Sequence, residues 1–242
     1  MKRIDEIGFG GLKLVQDSDA FCYGTDAILL AYSVWRDEAS RDRAERIADL
    51  GTGNGIVPLI LSAKTKADIL GIDVQGEATA LARETAALNG LGDRLEFLMG
   101  NVKDIESILP NRASFDIVTM NPPYTAGGCG IASPNPAKAI ARQEIEGSLH
   151  DFMVASEYLL KDGGTLYMVH RPGRLTDIVS EMRMLGIEPR EIQFVSGKRG
   201  EEPNILLISG IKGGKNELRI LPEFSVRNDD GSFTDDMNLA YK

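Results

Sequence analysis

Cysteine and histidine are scarce: the 242 residues hold two of each, against 26 glycines. Cys22 and Cys129 have no paired spacing, so neither a disulfide framework nor a metal-ligand set is expected. His150 and His170 stand far apart without neighbouring cysteines, which leaves a metal centre short of ligands. No apolar run approaches the ~18 residues that a membrane-spanning helix needs. The opening Met1-Lys-Arg-Ile-Asp-Glu-Ile-Gly has charge but no apolar stretch behind it, so no secretory signal is expected. Sparse, unpaired thiols fit a reducing compartment, and the cytoplasm is the expected location.

Positive charge is also in deficit, with 27 Lys and Arg against 36 Asp and Glu and a net charge of −9. A nucleic-acid binder usually shows a basic face. Overall acidity does not exclude one, because the local field at the docking surface decides. Cations do gather at Lys138, Arg142, Arg171, Arg174, Lys198 and Arg199. Arg142, Lys198 and Arg199 are the candidates for phosphate contact, whereas Arg183 and Arg190 read as solvated surface charge. An acidic body with such a rim would bind RNA weakly and lose affinity steeply with salt.

What is present is regular. With 43% apolar residues the chain can bury a full core, and one α/β domain over 1–242 is the expectation. Its parts are a lead-in at 1–44, a core at 45–212 and a polar tail at 213–242, the tail expected to be held loosely in part. Helices are expected at Asp26–Trp35, Ile56–Lys64, Glu77–Asn89 and Leu175–Leu185. Strands are expected at Arg46–Leu50, Asp68–Asp73, Leu95–Met99, Phe115–Met120, Gly164–Val169, Glu191–Val195 and Asn204–Ile211. Ser148-Leu-His-Asp151 reads as a capping box opening a further helix. This alternation predicts a mostly parallel sheet with helices on both faces and ligands at its carboxyl edge.

Three segments point to chemistry. Phe115-Asp-Ile-Val-Thr-Met120 runs into Asn121-Pro122-Pro123-Tyr124. The prolines fix φ near about −65° and remove two donors. What remains is an acceptor surface, the Asn121 side-chain oxygen and the Pro122 carbonyl, beside an aromatic ring. Two acceptors beneath a ring suit a planar –NH2, either the exocyclic amine of adenine or the amide of glutamine. Upstream, Asp49-Leu-Gly51-Thr-Gly53-Asn-Gly55 lies between an apolar strand and an apolar helix. Its glycines let a ligand approach the backbone, and Asp49 suits an ammonium. The spacing is neither the G-x-G-x-x-G dinucleotide fingerprint nor a P-loop. Third, Ile69-Leu-Gly-Ile-Asp73-Val74 ends a second strand on a carboxylate, placed to accept both hydroxyl protons of a ribose.

Together these segments resemble the class I S-adenosylmethionine-dependent methyltransferases, in the amino-methylating branch that carries Asn-Pro-Pro-Tyr. Gly24-Thr25-Asp26-Ala27, Asp49 to Gly55, Asn121 to Tyr124, Ala141-Arg-Gln-Glu144 and the tail from Leu221 are similar to the family that methylates adenine N6 in valine transfer RNA. The resemblance implies a Rossmann-like seven-stranded sheet whose last strand is antiparallel, and a lead-in that covers the cofactor. It implies S-adenosylmethionine held by Tyr23, Gly24, Thr25, Asp49, Gly51, Thr52, Gly53, Gly55, Asp73, Val74, Asn101, Val102 and Asn121. Asn101 would bond the adenine amine and the Val102 N–H a ring nitrogen; many relatives carry Asp at position 101. Asn121, Pro122, Pro123 and Tyr124 would carry catalysis, with Tyr124, Arg142, Lys198 and Arg199 on a transfer RNA substrate. The long glycine-rich stretch 124–137 suits a gate over the substrate. Glutamine-amide methylation of a release factor and adenine methylation of DNA stay open, because the same acceptor cage serves them.

Overall fold

Apolar runs bounded by glycine, asparagine and proline become the centre of a twisted sheet. The computed structural model describes residues 2–17, 24–123 and 147–242; Tyr23, Tyr124, Arg142 and the expected gate at 124–137 lie outside the described residues. In chain order the strands are β1 (Lys2–Glu6), β2 (Lys13–Asp17), β3 (Arg46–Leu50), β4 (Asp68–Asp73), β5 (Leu95–Met99), β6 (Phe115–Met120), β7 (Leu160–His170), β8 (Ile187–Lys198), β9 (Ile205–Lys212), β10 (Arg219–Ile220) and β11 (Phe224–Arg227). The α-helices are α1 (Thr25–Arg36), α2 (Glu38–Arg41), α3 (Ile56–Ser62), α4 (Gly76–Leu88), α5 (Ile105–Ile108), α6 (Leu149–Leu159), α7 (Leu175–Met184) and α8 (Asp235–Ala240).

The main sheet runs β10-β8-β9-β7-β6-β3-β4-β5, and β11 also pairs with β8. β5, β4, β3, β6 and β7 are mutually parallel. β9 is antiparallel to both β7 and β8, as the resemblance implied. The seven expected strands are all present. Two short strands of the tail, β10 and β11, pair with the outer strand β8, which brings the sheet to nine strands among the described residues.

Each central strand is buried on both faces, which is why it reads as an unbroken apolar run. Ile47, Ile69 and Ile117 are cross-strand partners and pack on one side with α1, α3 and α4. Ala48, Leu70 and Val118 are partners on the other side, under α6 and α7. α3 is buried over its whole length, consistent with the absence of any polar stripe in its sequence. α6 opens on the expected capping box: the Ser148 side chain receives the Asp151 N–H while Asp151 receives the Ser148 N–H.

Two regions depart from the sequence reading. The lead-in contains a hairpin, β1 paired antiparallel to β2, docked along α4 through Val15 N–H to Thr85 Oγ1 at 3.0 Å. The tail, read as too polar for a core, buries Phe224, Met237 and Ala240. Its Tyr241 ring stands between Phe233 and Phe9, with centroids 5.5 and 6.1 Å away. The buried Phe224, Met237 and Ala240 stand in a stretch rich in charged and polar residues, so composition concealed them.

Candidate active site

The parallel register brings four strand ends to one edge in the order β6, β3, β4, β5. Leu50 pairs with Met120 and Ile72, and Asp73 pairs with Met99. The residues that follow, Asn121, Gly51, Val74 and Gly100, therefore lie along the carboxyl edge. Two bonds from the β3 turn to β4 fix this alignment: Gly51 N–H and Thr52 N–H both donate to the Ile72 carbonyl, at 2.8 and 3.0 Å.

The turn needs its glycines for different reasons. Gly51, Gly53 and Gly55 all have positive φ, at 70°, 55° and 79°. A Cβ on Gly55 would also come within 2.9 Å of Ala82 and the Phe97 ring. At Gly53 the space where a Cβ would stand is open, so this is where a ligand can reach the backbone. One residue not foreseen shapes the same floor. Gly71, inside β4, has Phe97 at 2.6 Å and Thr52 Oγ1 at 2.7 Å from the position of a Cβ. A glycine inside an apolar strand is the signal that marks such a close approach.

Asp73 ends β4 and is buried. Its Oδ2 accepts the Gly53 N–H and its Oδ1 the Gln75 N–H, both at 2.8 Å. The carboxylate thus joins the β3 turn to the start of α4. Next along the edge, Asn101 caps a short 3-10 turn by accepting the Lys103 N–H at 3.1 Å. Val102 is buried at the head of that turn, where a helical N–H has no partner within the turn itself.

Asp49 is fully enclosed at the end of β3. Its Oδ1 accepts the Thr119 hydroxyl from β6 at 2.6 Å. Its Oδ2 and the Thr52 hydroxyl are both buried without a hydrogen-bond partner among the described residues. Thr52 lies close enough to favour the charged carboxylate but outside bonding geometry. Burial pushes the carboxyl up to about 7, opposed by the Thr119 bond. A buried acid with an unpartnered oxygen beside an open glycine backbone fits a cationic group such as an ammonium.

The folded state therefore favours protonated Asp49, whose contribution to stability is full below its ordinary 3.8 and declines as pH climbs to about 7. Asp49→Asn removes that penalty. Its melting temperature should exceed that of the native chain by several degrees at pH 8, narrowing towards pH 5. A difference independent of pH, read by calorimetry, would show that Asp49 does not titrate in this range.

Asn121 is half-buried and Pro122 buried, directly after β6. Lys198 and Arg199 occupy the β8–β9 hairpin, which the antiparallel pairing also brings to the carboxyl edge. Neither makes an ion pair among the described residues, although Glu201 accepts the Lys198 backbone N–H at 3.0 Å. Arg171 and Arg174 are partly neutralised by Asp26 at 4.0 Å and Asp177 at 2.6 Å. Arg183 and Arg190 pair with Glu188 and Glu217. The described residues contain no cluster of three or more potential metal ligands, and no helix long and apolar enough to cross a membrane.

Known proteins resemble this chain in sequence and fold. The chain is 27% identical over 213 residues to a tRNA1(Val) (adenine(37)-N6)-methyltransferase of Aeromonas salmonicida, covering 87% of this chain and 85% of the relative. A protein of the same name from Porphyromonas gingivalis is 29% identical over 210 residues, covering 84% and 79%. Among solved structures, an Agrobacterium tumefaciens protein described as a predicted O-methyltransferase superposes with a TM-score of 0.70 at 25% identity, over 90% of this chain and 97% of that one. A T. thermophilus 16S rRNA N2 methyltransferase shares the fold with a TM-score of 0.60 at 16% identity, over 88% of this chain and 50% of that one. The family described as "Methyltransferase domain" matches residues 41–190, well over half the sequence, and this chain belongs to that family.

Proposed function

We propose that this protein methylates the exocyclic N6 amine of an adenosine in transfer RNA, with S-adenosylmethionine as methyl donor. The observation that carries the reading is the register Leu50–Met120, which sets the glycine turn beside the start of Asn121-Pro122-Pro123. A donor site and an acceptor cage are thereby neighbours on one sheet edge. The names of the Aeromonas and Porphyromonas relatives support the choice of RNA substrate.

Asp73 holds the ribose hydroxyls and Asp49 Oδ2 accepts from the ammonium, with the Gly51–Gly55 backbone beneath. Thr52, Val74, Asn101 and Val102 line the adenosine end, and Tyr23, Gly24 and Thr25 the other. When bound, S-adenosylmethionine would supply an electrophilic methyl group on a sulfonium, with a neutral thioether as leaving group. Adenine N6 is a poor nucleophile because its lone pair is shared with the ring. The Asn121 oxygen and the Pro122 carbonyl accept its two protons and favour the tetrahedral nitrogen that forms as the methyl is taken. Bonds that strengthen only in the transition state lower the barrier. No strong base is required, since the methylated ammonium is acidic and sheds its proton to water. Pro123 fixes the exit of the loop, and Tyr124 stacks on the base, worth ~1–3 kcal/mol. Arg142, Lys198 and Arg199 contact phosphates, and the protein works in the cytoplasm as one methyltransferase unit.

Transfer of labelled methyl to unmodified total transfer RNA, with a peptide release factor as parallel acceptor, tests this. Label recovered as N6-methyladenosine is the expected result. Label in the release factor alone would overturn the RNA assignment in favour of a glutamine amide.

A further inference from the structure

One row of the sheet breaks the apolar pattern of its central strands. Gly71, Asp49, Thr119 and Tyr167 are cross-strand partners in turn, from β4 through β3 and β6 to β7. The row before it holds Leu70, Ala48, Val118 and Leu166, and the row after it Ile72, Leu50, Met120 and Met168, all buried. Thr119 is itself fully buried. A valine has the same shape and would fill a buried parallel strand without desolvating a hydroxyl. The threonine therefore needs a polar reason, and its neighbour Asp49 supplies one.

The Thr119 hydroxyl has a single proton to give. Two acceptors stand in reach, Asp49 Oδ1 at 2.6 Å and the Ala48 carbonyl at 3.4 Å, and the shorter contact takes it. That bond sets the rotation of the carboxyl group, with Oδ1 turned to β6 and Oδ2 directed elsewhere. On the far side of Asp49, the space that Gly71 leaves for want of a side chain is closed by Phe97 and by Thr52 Oγ1, the latter 2.7 Å from where a Cβ would stand. Asp49 Oδ2 and Thr52 Oγ1 are both buried without a hydrogen-bond partner among the described residues. A terminal carboxyl torsion is intrinsically soft, so without the Thr119 bond the group is free to turn.

We infer that Thr119 is a positioning residue for the methyl donor: its hydroxyl holds Asp49 Oδ1 so that Oδ2 is left to accept from the donor's ammonium. The inference rests on the reading of S-adenosylmethionine as donor with Asp49 as the seat of that ammonium. Thr119 itself touches no ligand. Through it β6, the strand that delivers Asn121, also takes part in holding the donor.

The same bond acts on ionisation. Burial raises the Asp49 carboxyl to about 7, Thr119 and Thr52 oppose the rise, and the charge of Asp73 on β4 adds to it. Tyr167, next in the row, commits its hydroxyl to Asp37 at 2.7 Å. An ammonium binds the ionised carboxylate, so donor affinity climbs with pH as Asp49 loses its proton. Removing the Thr119 hydroxyl pushes the carboxyl higher and moves that climb to higher pH.

Calorimetric titration with S-adenosylhomocysteine, which carries the ammonium, and with 5′-methylthioadenosine, which lacks it, tests the role of Thr119. The native protein should prefer the former. Thr119→Val keeps the shape and removes the hydroxyl; at pH 7 it should lose about tenfold in affinity for S-adenosylhomocysteine with the nucleoside unaffected. The rise of that affinity with pH should move up by about one unit, so the loss narrows at pH 9. Thr119→Ser, which retains the hydroxyl, should stay within about threefold of the native protein, and in an Asp49→Asn background Thr119→Val should change nothing further. Should Thr119→Val fail to fold, Thr119→Ala is expected to show the same selective loss. Equal losses for both ligands, a loss independent of pH, or no loss at all would overturn the role of Thr119. A native protein that binds both ligands equally well overturns the inference and leaves the nucleoside site intact. One that binds neither overturns the donor reading, and the inference with it.

Discussion

Replacing Asn121 by alanine is expected to slow methyl transfer roughly 100- to 1,000-fold while cofactor affinity changes by less than about threefold. The asymmetry follows from position. Asn121 stands after Met120 at the end of β6, one strand across from the glycine turn, and in the proposed mechanism its oxygen serves the acceptor rather than the bulk of the donor. Its work is done as the amine nitrogen becomes tetrahedral, a change absent from the ground state. Pro122 is buried and has no N–H, so its backbone offers an acceptor only. Asn121→Asp, which keeps an acceptor in place, should retain more activity than Asn121→Ala. Single-turnover transfer to transfer RNA and calorimetry on the same preparations give both quantities. A rate for Asn121→Ala equal to that of the native protein would remove the acceptor cage from the mechanism.

Asp73→Ala should show the opposite pattern, with cofactor affinity reduced about 100-fold or more. Two contributions add. The variant loses charge-assisted bonds to the ribose hydroxyls, and it releases the Gly53 and Gln75 N–H groups that the carboxylate holds at 2.8 Å. Comparing adenosine with 2′,3′-dideoxyadenosine tells them apart. The native protein should discriminate strongly between the two nucleosides, and Asp73→Ala should bind them alike. If the variant still discriminates, Asp73 supports the turn and another group reads the ribose. Both Asp73 and Asn121 are close enough to the β3 turn for their substitutions to couple, so a double variant need not show the sum of the single effects.

The strands that bear the site could be read from the chain nearly to the residue. Arg46–Leu50, Asp68–Asp73, Leu95–Met99 and Phe115–Met120 fall where apolar runs meet glycine, acid, or Asn-Pro. A parallel strand buried on both faces must be apolar throughout, and that requirement is local. β7 and β8 extend further than expected, to Leu160 and Ile187 at their starts, because their polar ends continue the ladder by backbone pairing that leaves no mark in composition. The hairpin and the tail strands escaped for a related reason. β1 is Lys-Arg-Ile-Asp-Glu, whose charges are tolerated on an edge strand paired on one side only.

At the site itself, sequence alone determined the types of group and their order: a glycine turn with Asp49, a carboxylate at Asp73, and acceptors at Asn121 and Pro122. These are properties of spacing along one segment at a time. Tertiary structure alone decided how the groups are used. Thr119 comes from a strand some seventy residues beyond Asp49, yet its hydroxyl takes one carboxyl oxygen and leaves the other open. Asp73 ties two elements together, and Gly71 matters because Phe97 and Thr52 close over it. Each depends on which side chains meet across the fold, and a pairwise contact between distant residues has no signature in either stretch of chain taken by itself.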